Sequence, residues 1–149
     1  MGYLVTLDPA RQDVDAIHRL LAATYWSPNI RRDIVAKALA NSITALAIEE
    51  ESGTIVGLAR VVTDRATFAW LCDVFVLEAH RGQGLAMGML EALEAHPDLA
   101  TLRRWCLATR DAHGLYERRG YRPVRPGAWM ERKAPEAAWQ EAPVTPSER

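Results

Sequence analysis

Cysteine is scarce in this chain: Cys72 and Cys106 are the only two among 149 residues. Two cysteines make no disulfide framework, and both stand in apolar runs, so they are expected as reduced core residues. No apolar run approaches the roughly 18 residues that a membrane-spanning helix needs, so no membrane partner is expected. A surplus of one charge is also lacking, since 18 Lys and Arg meet 19 Asp and Glu. Nucleic-acid binders usually carry a basic surplus, so no nucleic-acid partner is expected either. Residues Met1 to Leu7 lack a basic stretch followed by a long apolar one. That pattern reads as no signal peptide, with cytoplasmic residence as the default. The histidines His18, His80, His96 and His113 fall at no ligand spacing, so no metal site is read.

About half of the chain is apolar, enough for one core at this length. Residues 2–7 read as a strand that stops at Asp8-Pro9. Asp13 to Tyr25 repeats apolar residues at helical spacing, and Arg32 to Ala40 resumes the pattern after Ser27-Pro28-Asn29. Strands follow at Thr44 to Ile48, Ile55 to Val62 and Phe68 to Leu77. The last is a near-continuous apolar run broken by Asp73, as suits a strand covered on both faces. Leu85 to His96 reads as a helix, with Gly88 expected to let it pack closely on the sheet. A strand at Leu102 to Ala108, a helix at Asp111 to Arg119 and short strands at Tyr121 to Val124 and Ala128 to Arg132 complete the order. This is a single α/β (α+β) domain over residues 1–133. Residues 134–149, with Pro135, Pro143 and Pro146 among polar residues, read as a loose tail.

The stretch with the most chemistry is the turn after the Asp73 strand. Arg81, Gly82, Gln83 and Gly84 lead into Leu85 and Ala86, which open a helix. Glycines let backbone approach a ligand, and the first N–H groups of a helix lack internal partners and carry positive charge. Together they make an anion site. On glycines alone, an ordinary strand-to-helix connection fits as well. No Gly-Lys-Ser/Thr follows, so the turn is not a Walker loop, and the spacing is wrong for a dinucleotide fingerprint.

Arg81-Gly82-Gln83-Gly84-Leu85-Ala86 resembles the Arg/Gln-x-x-Gly-x-Gly/Ala signature of the GCN5-related N-acetyltransferase (GNAT) family. Val74-Phe75-Val76 resembles the strand that leads into it. Further on, Gly114-Leu115-Tyr116 through Gly120-Tyr121 resembles the family's second signature. The resemblance implies a mixed, mostly antiparallel sheet flanked by helices, with a splayed central strand pair. It implies acetyl-CoA as acyl donor. Its pyrophosphate would lie on the backbone from Gly82 to Ala86, and its pantetheine arm along Val74 to Val76. Thr109 stands where many members carry Asn, and either bonds that arm or caps the next helix.

The implied chemistry is acetyl transfer to a primary amine in a ternary complex, with the acceptor open among small amines, amino acids, antibiotics and peptides. Only about one Lys-like amine in a thousand is neutral at pH 7, so a base is needed, and the departing thiolate benefits from a proton. By resemblance Tyr116 is the acid. Asp73, the one charge in its run, is the base candidate, with a structural role equally open. Its surroundings resemble members that act on polyamines, but those often carry Glu where this chain has Cys72. Tyr25, Trp26 and Trp70 are acceptor-side candidates by cation–π contact, or else core packing. A homodimer is possible on this reading. The alternative function is a non-catalytic acyl-CoA-binding module.

Overall fold

The computed structural model describes residues 2–142. Five strands form one sheet in the order β1-β2-β3-β4-β5: Tyr3–Thr6, Ile43–Glu49, Ile55–Thr63, Phe68–Val76 and Arg104–Leu107. The first three pairings are antiparallel and β4 with β5 is parallel, the expected mixed sheet. Helices α1 (Val14–Ala22) and α2 (Arg32–Ala40) cover one face. Helix α3 (Leu85–Glu94) covers the other, and α4 (His113–Glu117) follows β5.

Period-two alternation sorts the strands' side chains between two cores. Leu46, Ile48 and Leu58 pack with Ile17, Leu21, Val35 and Leu39 of α1 and α2. Ala45, Ala47, Ala59 and Ala69 face α3, which brings Leu85, Met89, Leu90 and Leu93. Small residues on that side let α3 come close to the sheet. Met89 and Leu93 are fully buried, worth about 2 kcal/mol each in transfer free energy.

The glycine that permits the approach is Gly57 in β3, not Gly88. A Cβ at Gly57 would stand 3.1 Å from Met89 Cε, 3.2 Å from Ala47 Cβ and 3.3 Å from the Phe75 carbonyl. A Cβ at Gly88 would meet only Val5 Cγ2 at 3.6 Å, an ordinary contact.

Two local expectations change. Residues 121–124 and 128–132 form no strands. Pro123 and Pro126 remove backbone donors, and the Ala128 N–H bonds the Arg125 carbonyl in a turn through Gly127 at φ +78°. The described part of the tail is also anchored. The Arg31 N–H donates to the Trp139 carbonyl at 2.9 Å, and the Glu141 N–H donates to the Asn29 carbonyl at 2.8 Å. Gln140 Nε2 reaches the Pro28 carbonyl at 2.8 Å. Residues 139–141 therefore lie on the loop between α1 and α2. Pro143 and Pro146 lie outside the described residues.

Replacing Gly57 with Val should cost about 1–3 kcal/mol of stability by overpacking. Gly88→Ala should gain up to about 1 kcal/mol from helix propensity. Urea denaturation of both variants checks the pair; a destabilised Gly88→Ala protein would contradict the assignment.

Candidate active site

Strands β4 and β5 pair only from Phe68 with Arg104 to Leu71 with Leu107. Beyond Leu71 they part, so the second half of β4 has no sheet partner on that side. A bulge marks the change. Register shifts between Leu58 and Arg60, and Asp73 takes a left-handed φ of +54°, strained for a residue with a Cβ. Bulges add local twist and re-aim side chains, here at the point of divergence.

The next turn leaves backbone donors unspent at the start of a helix. Gly84 caps α3 in the left-handed region at φ +74°, and Gly82 also has positive φ at +78°. No side chain caps the helix. Among the described residues, the N–H groups from Gly82 to Met87 donate to no backbone carbonyl. Arg81 donates from Nε to the Val76 carbonyl at 2.9 Å, which holds its side chain against the end of β4. His80 braces the turn, its Nδ1 lying 2.9 Å from the Tyr3 hydroxyl and 3.5 Å from the Glu49 carboxylate.

Asp73 is not a free carboxylate. Its Oδ2 accepts from Arg60 Nε at 2.8 Å, and its Oδ1 accepts from Trp26 Nε1 at 2.9 Å. Arg60 also donates to the Ser42 hydroxyl at 2.9 Å. The buried charge that the sequence isolates is thus paired, as burial requires. Trp26 carries on to Tyr25, edge to face at 4.9 Å between centroids. Arg110, on the loop after β5, lies 3.9 Å above the Tyr25 ring. These contacts bridge the α1–α2 loop and the β5–α4 loop.

Tyr116 is buried on α4, edge-on to Tyr121 at 5.8 Å. Its hydroxyl has no described hydrogen-bond partner. Burial raises its pKa above the usual phenol value, with the charge of Asp111 and the nearby Tyr25 adding to the shift. It lines an open cleft of about 1510 Å³ along β5 and α4, shared with Trp70 and Thr109. The Val74–Ala86 segment does not line that cleft. Thr109 closes the turn ahead of α4, where its Oγ1 accepts the Ala112 N–H at 3.0 Å, and no side chain caps the helix itself. Trp70 packs on Trp129 at 5.7 Å, and Arg104 lies 5.4 Å from that second indole. Burial pushes the Cys72 thiol up to about 11, so it is protonated and a weak nucleophile at neutral pH.

The expected residues therefore fall into three groups: the Arg81–Ala86 turn with Val74–Val76, the Trp26–Asp73 wall with Tyr25, and Tyr116 with Thr109 and Trp70. Sequence reading passed over Arg60, Arg110 and Trp129. Arg60 had a signal, as the one charge inside an apolar strand, in cross-strand register with Cys72. Arg110 and Trp129 had none.

Comparison with known proteins agrees with this architecture. Residues 40–123 match the family model described as an acetyltransferase (GNAT) domain. A Gibberella zeae protein classed by inference as an acetyltransferase is 34% identical over 133 residues, covering 76% of this chain and 75% of its own. The crystal structure of a GNAT-family protein from Xanthomonas campestris pv. campestris superposes with TM-score 0.84 at 43% identity, covering 91% of this chain and 95% of that one. A Clostridium acetobutylicum protein predicted to be an acetyltransferase, solved with acetyl-CoA, shares the fold at TM-score 0.64 and 19% identity, covering 89% of this chain and 95% of that one. The chain belongs to the GNAT family of acetyltransferases.

Proposed function

We propose that the protein transfers the acetyl group of acetyl-CoA directly to a primary amine in a ternary complex. The observation that carries this reading is the parting of β4 from β5 immediately ahead of a helix start whose N–H groups are unspent. The residues present fit the donor. Gly82 and Gly84 have no Cβ to crowd a diphosphate, and the N–H groups from Gly82 to Met87 have no other described backbone use. Arg81 supplies a charge-assisted donor beside them. Val74, Phe75 and Val76 offer a strand edge on which an amide-bearing arm can pair. Bound there, acetyl-CoA supplies an activated acyl thioester.

The rest of the work falls to side chains. Tyr116 is the proton donor to the leaving sulfur, a role that its raised pKa favours by keeping the phenol protonated. Asp73 would have to give up a bond to Arg60 or Trp26 to take a proton from the amine. Its role is therefore positioning: it holds Trp26, and through it the α1–α2 loop, beside the opening between the strands. With Asp73 so engaged, solvent takes the proton of the amine. The protonated thiol of Cys72 supports direct transfer over an acetyl-cysteine route.

Gly84→Val should weaken acetyl-CoA binding at least tenfold in a calorimetric titration, because a β-branched residue resists positive φ. Wild-type affinity in that variant would remove the turn from the site. Tyr116→Phe should lower kcat about 10²-fold with acetyl-CoA affinity kept. A raised Tyr116 pKa means that its proton is retained to higher pH. Activity should accordingly climb with pH as the acceptor amine is deprotonated, with no falling limb below about pH 10. A falling limb near pH 8 that vanishes in Tyr116→Phe would contradict this. Asp73→Asn should raise the acceptor KM more than it lowers kcat. Loss of kcat together with loss of the rising pH limb would instead make Asp73 the base.

A further inference from the structure

The contacts that join the two loops carry a charge arrangement that bears on the acceptor. Arg110 lies 3.9 Å above the Tyr25 ring, and Tyr25 rests on Trp26, which donates to Asp73. Arg60 offsets the Asp73 carboxylate at 2.8 Å. Arg110 has no such offset: among the described residues it forms no ion pair and no side-chain hydrogen bond. A guanidinium held over an aromatic face keeps its N–H donors in its own plane, free for bidentate bonding to an anion.

The guanidinium is also well placed. Thr109 fixes the start of its loop through the bond to the Ala112 N–H. Arg110 lies over the Tyr25 ring and is followed by Asp111, and both of those residues contribute to the raised pKa of Tyr116. The negative charge of Asp111 suits an ammonium group next to the anion. The polyamine-like sequence around Asp73 points the other way, toward a dication. With Asp73 neutralised by Arg60, a second ammonium group finds no free carboxylate on that wall.

Building on the proposed N-acetyltransferase function, we infer that the acceptor is an amine that also carries an anionic group, a carboxylate or phosphate, bound by Arg110 opposite the Tyr116 side of the opening. A phosphate of coenzyme A offers the same chemistry, so the test must separate the two sources.

The test measures kcat/KM for matched acceptors, phenylalanine against phenethylamine and O-phosphoethanolamine against ethanolamine, with calorimetry of acetyl-CoA binding alongside. The anionic member of at least one pair should be favoured tenfold or more. Arg110→Gln should collapse that ratio toward one while acetyl-CoA affinity stays within twofold, which also shows that the variant is folded. Arg110→Lys should retain part of the preference. The inference is overturned if uncharged or dicationic amines are preferred, or if the ratio survives in Arg110→Gln. A tenfold loss of acetyl-CoA affinity in that variant, absent with the 3′-dephospho analogue, would assign Arg110 to the cofactor and overturn it as well. If the wild-type protein bound no acetyl-CoA, the enzymatic reading would fall and this inference with it. Turnover of uncharged amines alone would sink only the inference.

Discussion

The loss of pairing between β4 and β5 past Leu71 is the constraint on which the rest of the site depends. A parallel pair that continued to Val76 would spend the backbone groups of Val74–Val76 inside the sheet. Instead the bulge at Asp73 ends the pairing, and the strand keeps one edge open. Keeping it open carries a cost, since Asp73 holds a left-handed backbone that residues with a Cβ rarely adopt. The Asp73 side chain offsets part of that cost by anchoring Arg60 and Trp26. The same residue thus marks the parting of the strands and holds Trp26 beside it.

Packing around α3 sets the second requirement. The alanines of β2, β3 and β4, with Gly57, let the helix lie close on the sheet. That placement directs the first turn of α3 at the open end of β4. Gly84 then orients the unspent N–H groups, because a residue with a Cβ there would strain the turn. On the proposed reading, an anion at this point needs no charge beyond Arg81, since the helix dipole and the free N–H groups supply most of the attraction.

Much of this was legible in the sequence. Apolar runs located the strands, because the sheet is covered on both faces, and helical periodicity located both helices of the α1–α2 layer, because each buries one face. The Arg81–Ala86 turn was legible because positive φ and close approach both demand glycine. What stayed hidden depends on contacts between distant residues. The pairing of Asp73 with Arg60 links adjacent strands across a bulge that periodicity does not encode. The anchoring of residues 138–141 on the α1–α2 loop uses backbone groups, which leave no trace in residue type. The strands expected at 121–124 and 128–132 failed because the apolar residues there outweighed Pro123 and Pro126 in the reading, whereas missing donors decide the structure.

Amide hydrogen exchange with and without acetyl-CoA tests the central claim most directly. The account predicts that the cofactor slows exchange at the N–H groups of Val74–Val76 that face away from β3 and at Gly82–Met87, whose N–H groups have no described backbone partner. Slowing confined to the cleft along β5 and α4, with those two segments unchanged, would contradict it.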